Sequence, residues 1–187
     1  MLAAAALGAL SVAILATVGI LAVRQGGTSG GENTAPDAWE LPRLDGQGQV
    51  VLADFRGKPL VVNFFASWCV ACDIELPGFA RVSEELKGQL QFVGVDALET
   101  GDPFYMPERH GITWWPLASD EGGTNNNGLH RALADGRSMP VTAFYDAQGK
   151  LLDAHIGLLP EETLRTAIRQ LYGDPPGTPT GSPPPLR

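Results

Sequence analysis

The sequence predicts an α/β domain, a mixed β-sheet with helices packed on its faces. Three observations carry this expectation. An almost unbroken apolar run, Leu60 to Phe65 (LVVNFF), leads directly into a helical pattern over Cys69 to Lys87. A second apolar run, Gln91 to Val95 (QFVGV), follows it. Later, Val141 to Tyr145 and Leu151 to Ile156 flank Asp146-Ala147-Gln148-Gly149, which reads as a hairpin turn. Short runs without polar alternation are what strands covered on both faces look like. The 187 residues suit one such domain plus appendages.

Each element has its own signal. Leu44-Asp45-Gly46 and Val50-Val51-Leu52 predict a short hairpin or extended lead-in. Within Cys69 to Lys87, Leu76, Phe79, Val82 and Leu86 fall on one helical face, and Gly88 stops the helix. Leu98 to Arg109 is loop-like and expected to frame the site described below. Trp114-Trp115-Pro116 reads as core or rim. Thr124 to Ala134 is expected to be a short helix opened by Asn125-Asn126-Asn127. Pro160-Glu161-Glu162 opens the last helix, with proline and acids in its first turn and Leu164, Ala167, Ile168 and Leu171 on one face. The implied order is β-α-β-α-β-β-α.

The two ends differ from the middle. Leu2 to Val23 is apolar and uncharged, about the 20 residues a helix needs to cross a bilayer. A buried soluble helix would show a polar face, and a cleaved signal peptide would end in an A-x-A-like site; neither is visible. Residues 1–24 are therefore expected to be an uncleaved membrane anchor, and the Gly-rich residues 25–36 a flexible tether. Asp174 to Arg187 (DPPGTPTGSPPPLR) is expected to be a disordered Pro-rich tail, leaving residues 37–173 as the domain. A net charge of -8 without any Lys/Arg cluster excludes a nucleic-acid partner.

The chemistry is carried by Cys69 and Cys72, the only two cysteines, at the junction between a buried strand and a helix. At a helix start, unpaired N–H groups and the helix dipole favour a thiolate, the nucleophile of thiol–disulfide exchange. Cys72, one turn on, is close enough to close a disulfide but is expected to be more buried than Cys69, which makes it the resolving thiol. Half a zinc site would need a second pair, and His110, His130 and His155 lack ligand spacing, so no metal and no cofactor is expected. A purely structural disulfide over so short a loop would add little stability.

Trp68-Cys69-Val70-Ala71-Cys72, after Val62-Asn63-Phe64-Phe65-Ala66, resembles the active-site segment of the thioredoxin fold. Pro77 matches the proline that kinks the active-site helix, and Met139-Pro140-Val141-Thr142 matches the cis-proline loop. Asn63, Glu75 and the apolar N-terminal segment resemble the membrane-tethered TlpA/ResA-like branch, which includes the CcmG/DsbE type. The resemblance spans about Asp37 to Tyr172. It implies a domain outside the cytoplasm, although Arg24 alone would place its own side inside. It also implies a cis Pro140 held against Cys69, a Met139 backbone that pairs with an extended substrate, and a Trp68 that shapes an apolar landing surface. The implied substrate is a disulfide-containing protein such as apocytochrome c, and the implied electron donor is a membrane thiol transporter of the CcdA/DsbD type.

Two departures matter. Val70-Ala71 replaces the Gly-Pro of cytoplasmic thioredoxins, so the potential and direction cannot be carried over. Asn63 stands where those proteins have a buried Asp that assists proton transfer, and an amide cannot titrate. Glu75 is then the candidate proton carrier, against the bland reading of a solvated first-turn acid. Other readings of the chain are a disulfide-introducing oxidase and a non-catalytic module on the same fold. A peroxidase expects Thr where this chain has Ala66.

Overall fold

The computed structural model describes residues 35–120 and 128–174. A small antiparallel hairpin comes first, β1 (Glu40–Pro42) with β2 (Gln49–Val51). The main sheet holds β3 (Leu60–Phe65), β4 (Gln91–Asp96), β5 (Leu117–Ser119), β6 (Val141–Tyr145) and β7 (Leu151–Ile156). Its order is β5-β4-β3-β6-β7, with β4 parallel to β3 and β5, and β6 antiparallel to β3 and β7. The sheet is therefore mixed, with every residue of its central strand β3 buried.

Strand parity divides the interior into two cores. Val61 and Phe65 join Leu76, Phe79 and Val82 of α1 (Val70–Glu85) and Leu164 and Ile168 of α4 (Glu161–Tyr172). Leu60, Val62 and Phe64 point the other way, toward Trp39, Leu41 and Leu129. Asn63 shares its parity with Val61 and Phe65, so it faces α1. This placement decides the chemistry below.

The α1–α4 contact is close. An added Cβ on Gly78 would lie 2.8 Å from Glu161 Cβ. Alanine there gains about 1 kcal/mol of helix propensity, but wedging the helices apart costs about 1–3 kcal/mol. Gly78→Ala is therefore expected to lower the melting temperature by several degrees, as calorimetry would show; an unchanged or raised value would mean that α4 yields freely.

Several sequence expectations need correction. The stretch 98–109 is not all loop, because Tyr105–Arg109 forms a short helix, α2. Strand β5 was not expected; it is three residues long and borders β4. The helix expected over 124–134 is described only as α3 (Leu129–Leu133); residues 121–127 lie outside the described residues. Cys69 caps α1 rather than opening it, and Pro160 likewise caps α4. Trp115 is core, stacked on Phe92, whereas Trp114 lies at the rim under Lys87. The anchor and nearly all of the tether and tail expected from the sequence lie outside the described residues. Among the described residues no helix is long and apolar enough to cross a membrane.

Candidate active site

The buried strand β3 delivers the chain to α1 through Ala66, Ser67 and Trp68. Cys69 is the N-cap of α1, in extended conformation, and its Sγ accepts a hydrogen bond from the Cys72 N–H at 3.1 Å. The two cysteines form a disulfide with Cα atoms 5.2 Å apart. Cys69 is 3% exposed and Cys72 fully buried. The expected difference in exposure is thus narrow, and what separates the two sulfurs is position: one caps the helix, the other lies a turn inside it.

Glu75 is the largest departure from the bland reading of the sequence. It is not a solvated helix acid but only 2% exposed, on the same buried face of α1 as Cys72. One oxygen accepts from Asn63 Nδ2 at 2.7 Å, the other from the Leu159 N–H at 2.8 Å. Burial pushes its carboxyl up to about 7, although these two hydrogen bonds pull the other way. A carboxyl poised there exchanges protons at neutral pH. Asn63 Oδ1 is buried and has no hydrogen-bond partner among the described residues. A protonated Glu75 could donate to that oxygen if the amide turned over, so the pair has a complementary arrangement for each protonation state.

Asp73 points elsewhere, as its position around the helix requires. Its Oδ1 lies 2.8 Å from both Arg109 Nε and His110 Nε2, which tie α2 to the first turn of α1. The Met139–Pro140 bond is cis, as the resemblance implied. Pro140 is buried and its carbonyl accepts from the Gly157 N–H, while Met139 packs against the cluster that contains both cysteines. Trp68 is 47% exposed and donates its indole N–H to the Leu98 carbonyl at 2.8 Å.

Some participants escaped the sequence reading. Asp135 accepts from the N–H groups of Arg137 and Ser138 and from Ser138 Oγ, and His130 Nε2 lies 2.8 Å from the Ser138 carbonyl. Together they anchor the residues just before Met139. Asp135 followed by Gly136 and Ser138 is a turn signal that could have been found. Glu99, bonded to Ser67, carries no comparable signal.

Strand β3 thus ends on a helix-capping Cys-x-x-Cys disulfide, and the cis-proline loop lies across from its end, where Phe64 pairs with Val141. The sequence model of the AhpC/TSA family matches residues 32–156. The chain belongs to the AhpC/TSA family. It is 28% identical over 137 residues to thiol:disulfide interchange protein DsbE of Pseudomonas fluorescens biotype C, covering 72% of each chain. It is 29% identical over 145 residues to thiol-disulfide oxidoreductase ResA of Geobacillus thermodenitrificans, covering 74% of this chain and 76% of that one. Among solved structures, a Chlorobium tepidum protein assigned as a thiol:disulfide interchange protein DsbE superposes with a TM-score of 0.60 at 26% identity. That match covers 76% of this chain and 96% of the other. This member of the AhpC/TSA family is a thiol:disulfide oxidoreductase of the DsbE/ResA type with a thioredoxin-like fold.

Proposed function

We propose that the chain is a membrane-anchored, extracytoplasmic reductase of protein disulfides, acting on apocytochrome c during cytochrome c maturation. The carrying observation is the Cys69–Cys72 disulfide at the helix start, with the buried Glu75 carboxyl one turn below it. In the reduced protein the Cys69 thiolate attacks one sulfur of the substrate disulfide. A mixed disulfide forms and one substrate thiolate leaves, taking up a proton. Glu75 accepts the Cys72 proton, and the Cys72 thiolate then attacks Cys69 Sγ, releasing the second substrate thiolate. Two electrons pass to the substrate, and the enzyme is left as the disulfide seen here. A membrane dithiol donor of the CcdA/DsbD type restores the reduced form.

Trp68 and Met139 are the proposed substrate contacts, with Pro140 closing the site beside Cys69. The apolar Leu2–Val23 segment, with no cleavage site after it, supports the anchor. The likeness to DsbE and ResA supports the substrate class.

The full-length Cys72→Ala variant tests this in the source cells. Without the resolving thiol, mixed disulfides through Cys69 should accumulate in the membrane fraction, and a reductant should release apocytochrome c from them. Capture of assorted secreted proteins through their structural cysteines would instead point to an oxidase. Recovery in the soluble fraction would remove the anchor.

A further inference from the structure

The residues after β4 are tied to the residues before Cys69. The Ala97 N–H donates to the Phe65 carbonyl, which lays the loop against the exit of β3. Leu98 then adopts a left-handed conformation, φ 58°, that side chains other than glycine rarely take. This turn aims two acceptors at one target. The Leu98 carbonyl takes the Trp68 indole N–H at 2.8 Å. The Glu99 carboxylate takes the Ser67 N–H at 2.6 Å and the Ser67 hydroxyl at 2.5 Å. The N–H groups of Thr100 and Gly101, at 2.7 and 2.6 Å, complete its shell.

All four donors to Glu99 are neutral, and each satisfies the ionised carboxylate. Burial would push its carboxyl up, but these bonds outweigh it and hold it at about 2. The loop also needs a small residue: an added Cβ on Gly101 would sit 2.6 Å from Ser67 Oγ. Ser67 and Trp68 are thus gripped from one side by a carboxylate, a carbonyl and a glycine. The result is a large aromatic ring that is half exposed yet fixed at one edge, next to the cysteine at the helix start. An aromatic side chain already immobilised offers contact area without paying its ordering cost on binding.

We propose that Glu99 is a positioning residue that fixes Trp68 beside Cys69 and so sets the preference for polypeptide over small-molecule disulfides. A polypeptide lays the residues around its disulfide on the indole face. Oxidised glutathione reaches the sulfur with little flanking chain to place there. This inference rests on the reading that Cys69 attacks protein disulfides.

The test compares the full chain with its Glu99→Gln, Trp68→Ala and doubly substituted forms, using insulin and oxidised glutathione as substrates. Glutamine keeps one acceptor and turns an amide N–H₂ toward the N–H groups of the loop. Glu99→Gln should lower kcat/KM for insulin about tenfold, chiefly through KM, and change it less than about twofold for glutathione. Trp68→Ala should likewise cost more on insulin than on glutathione, and the double variant should lose little more on insulin than Trp68→Ala alone, because both act through one contact. Hydrogen exchange of the Trp68 indole, followed by NMR, should quicken at least about tenfold in Glu99→Gln. Equal losses on both substrates, additive losses in the double variant, or an indole still protected would each overturn the proposal. If Glu99→Gln does not fold, Gly101→Ala keeps the charge while pushing on Ser67, and should show the same substrate split. Failure of the unsubstituted chain to reduce insulin would remove the underlying reading instead, while the indole measurement still reports on the grip of Glu99.

Discussion

Glu75→Gln is expected to slow disulfide exchange by about a hundredfold, the lower end of what a positioned proton carrier contributes, while leaving the fold intact. Glutamine is close in shape and its carbonyl can accept from the Leu159 N–H. Once the Asn63 amide has turned over, the glutamine N–H₂ can donate to Asn63 Oδ1, which has no partner among the described residues. The pH behaviour is the sharper test. In the native protein the carboxyl sits at about 7, against 4.5 when unperturbed. Between those values the folded state holds a proton that the unfolded chain has released. Stability from this group is therefore fully present below pH 4.5 and lost as pH rises to 7. At about 1.4 kcal/mol per pH unit the loss is roughly 3 kcal/mol. Denaturant unfolding of Glu75→Gln should show that dependence flattened. The rate of exchange with a model disulfide should rise through pH 7 in the unsubstituted protein, and Glu75→Gln should lose that rise. A variant whose pH–rate profile matches the parent would return Glu75 to a structural role.

Asn63→Asp is expected to be the most damaging single change to the site at alkaline pH. It would place a second carboxyl within hydrogen-bond distance of Glu75, in a fully buried position. Two such groups share one proton readily but cannot both ionise without an uncompensated buried charge. At pH 5 the pair is protonated and the loss of stability should be small. At pH 8.5 it should reach about 3–5 kcal/mol, read as a shift of the urea midpoint. The two carboxyls would titrate as a coupled pair, with apparent values belonging to both. An equal loss at both pH values would show that packing, not charge, makes the asparagine necessary.

Much of this architecture was legible because its signals are local. The buried run LVVNFF, the Cys-x-x-Cys pair at its end, the inward face of α1 and the turn between β6 and β7 each announce themselves within a dozen residues. What escaped depends on distant partners. Strand β5 is three residues long and is recognisable only by its pairing with β4 and its bridge to Arg43. Helix α2 contains Pro107 and is held by Asp73, in another helix. Burial of Glu75 requires the Leu159 N–H, 84 residues away, so an acid in a helix's first turns read equally well as solvated. Asn63 lay between the two cases: its parity within β3 was available, but not the carboxyl it meets.

The capping bond at Cys69 joins folding to electron transfer in one thermodynamic cycle. In the oxidised protein a disulfide sulfur accepts the Cys72 N–H. In the reduced protein a thiolate would occupy the same position, and an anion is the stronger acceptor. The same hydrogen bond is therefore worth more in one redox state than in the other, and a closed cycle cannot lose that difference. Whatever extra resistance to unfolding the cap gives the dithiol form must reappear as a more oxidising couple, about 30 mV for each 1.4 kcal/mol. The start of this helix thus works as a converter: conformational free energy at one backbone N–H is expressed as voltage at the sulfurs.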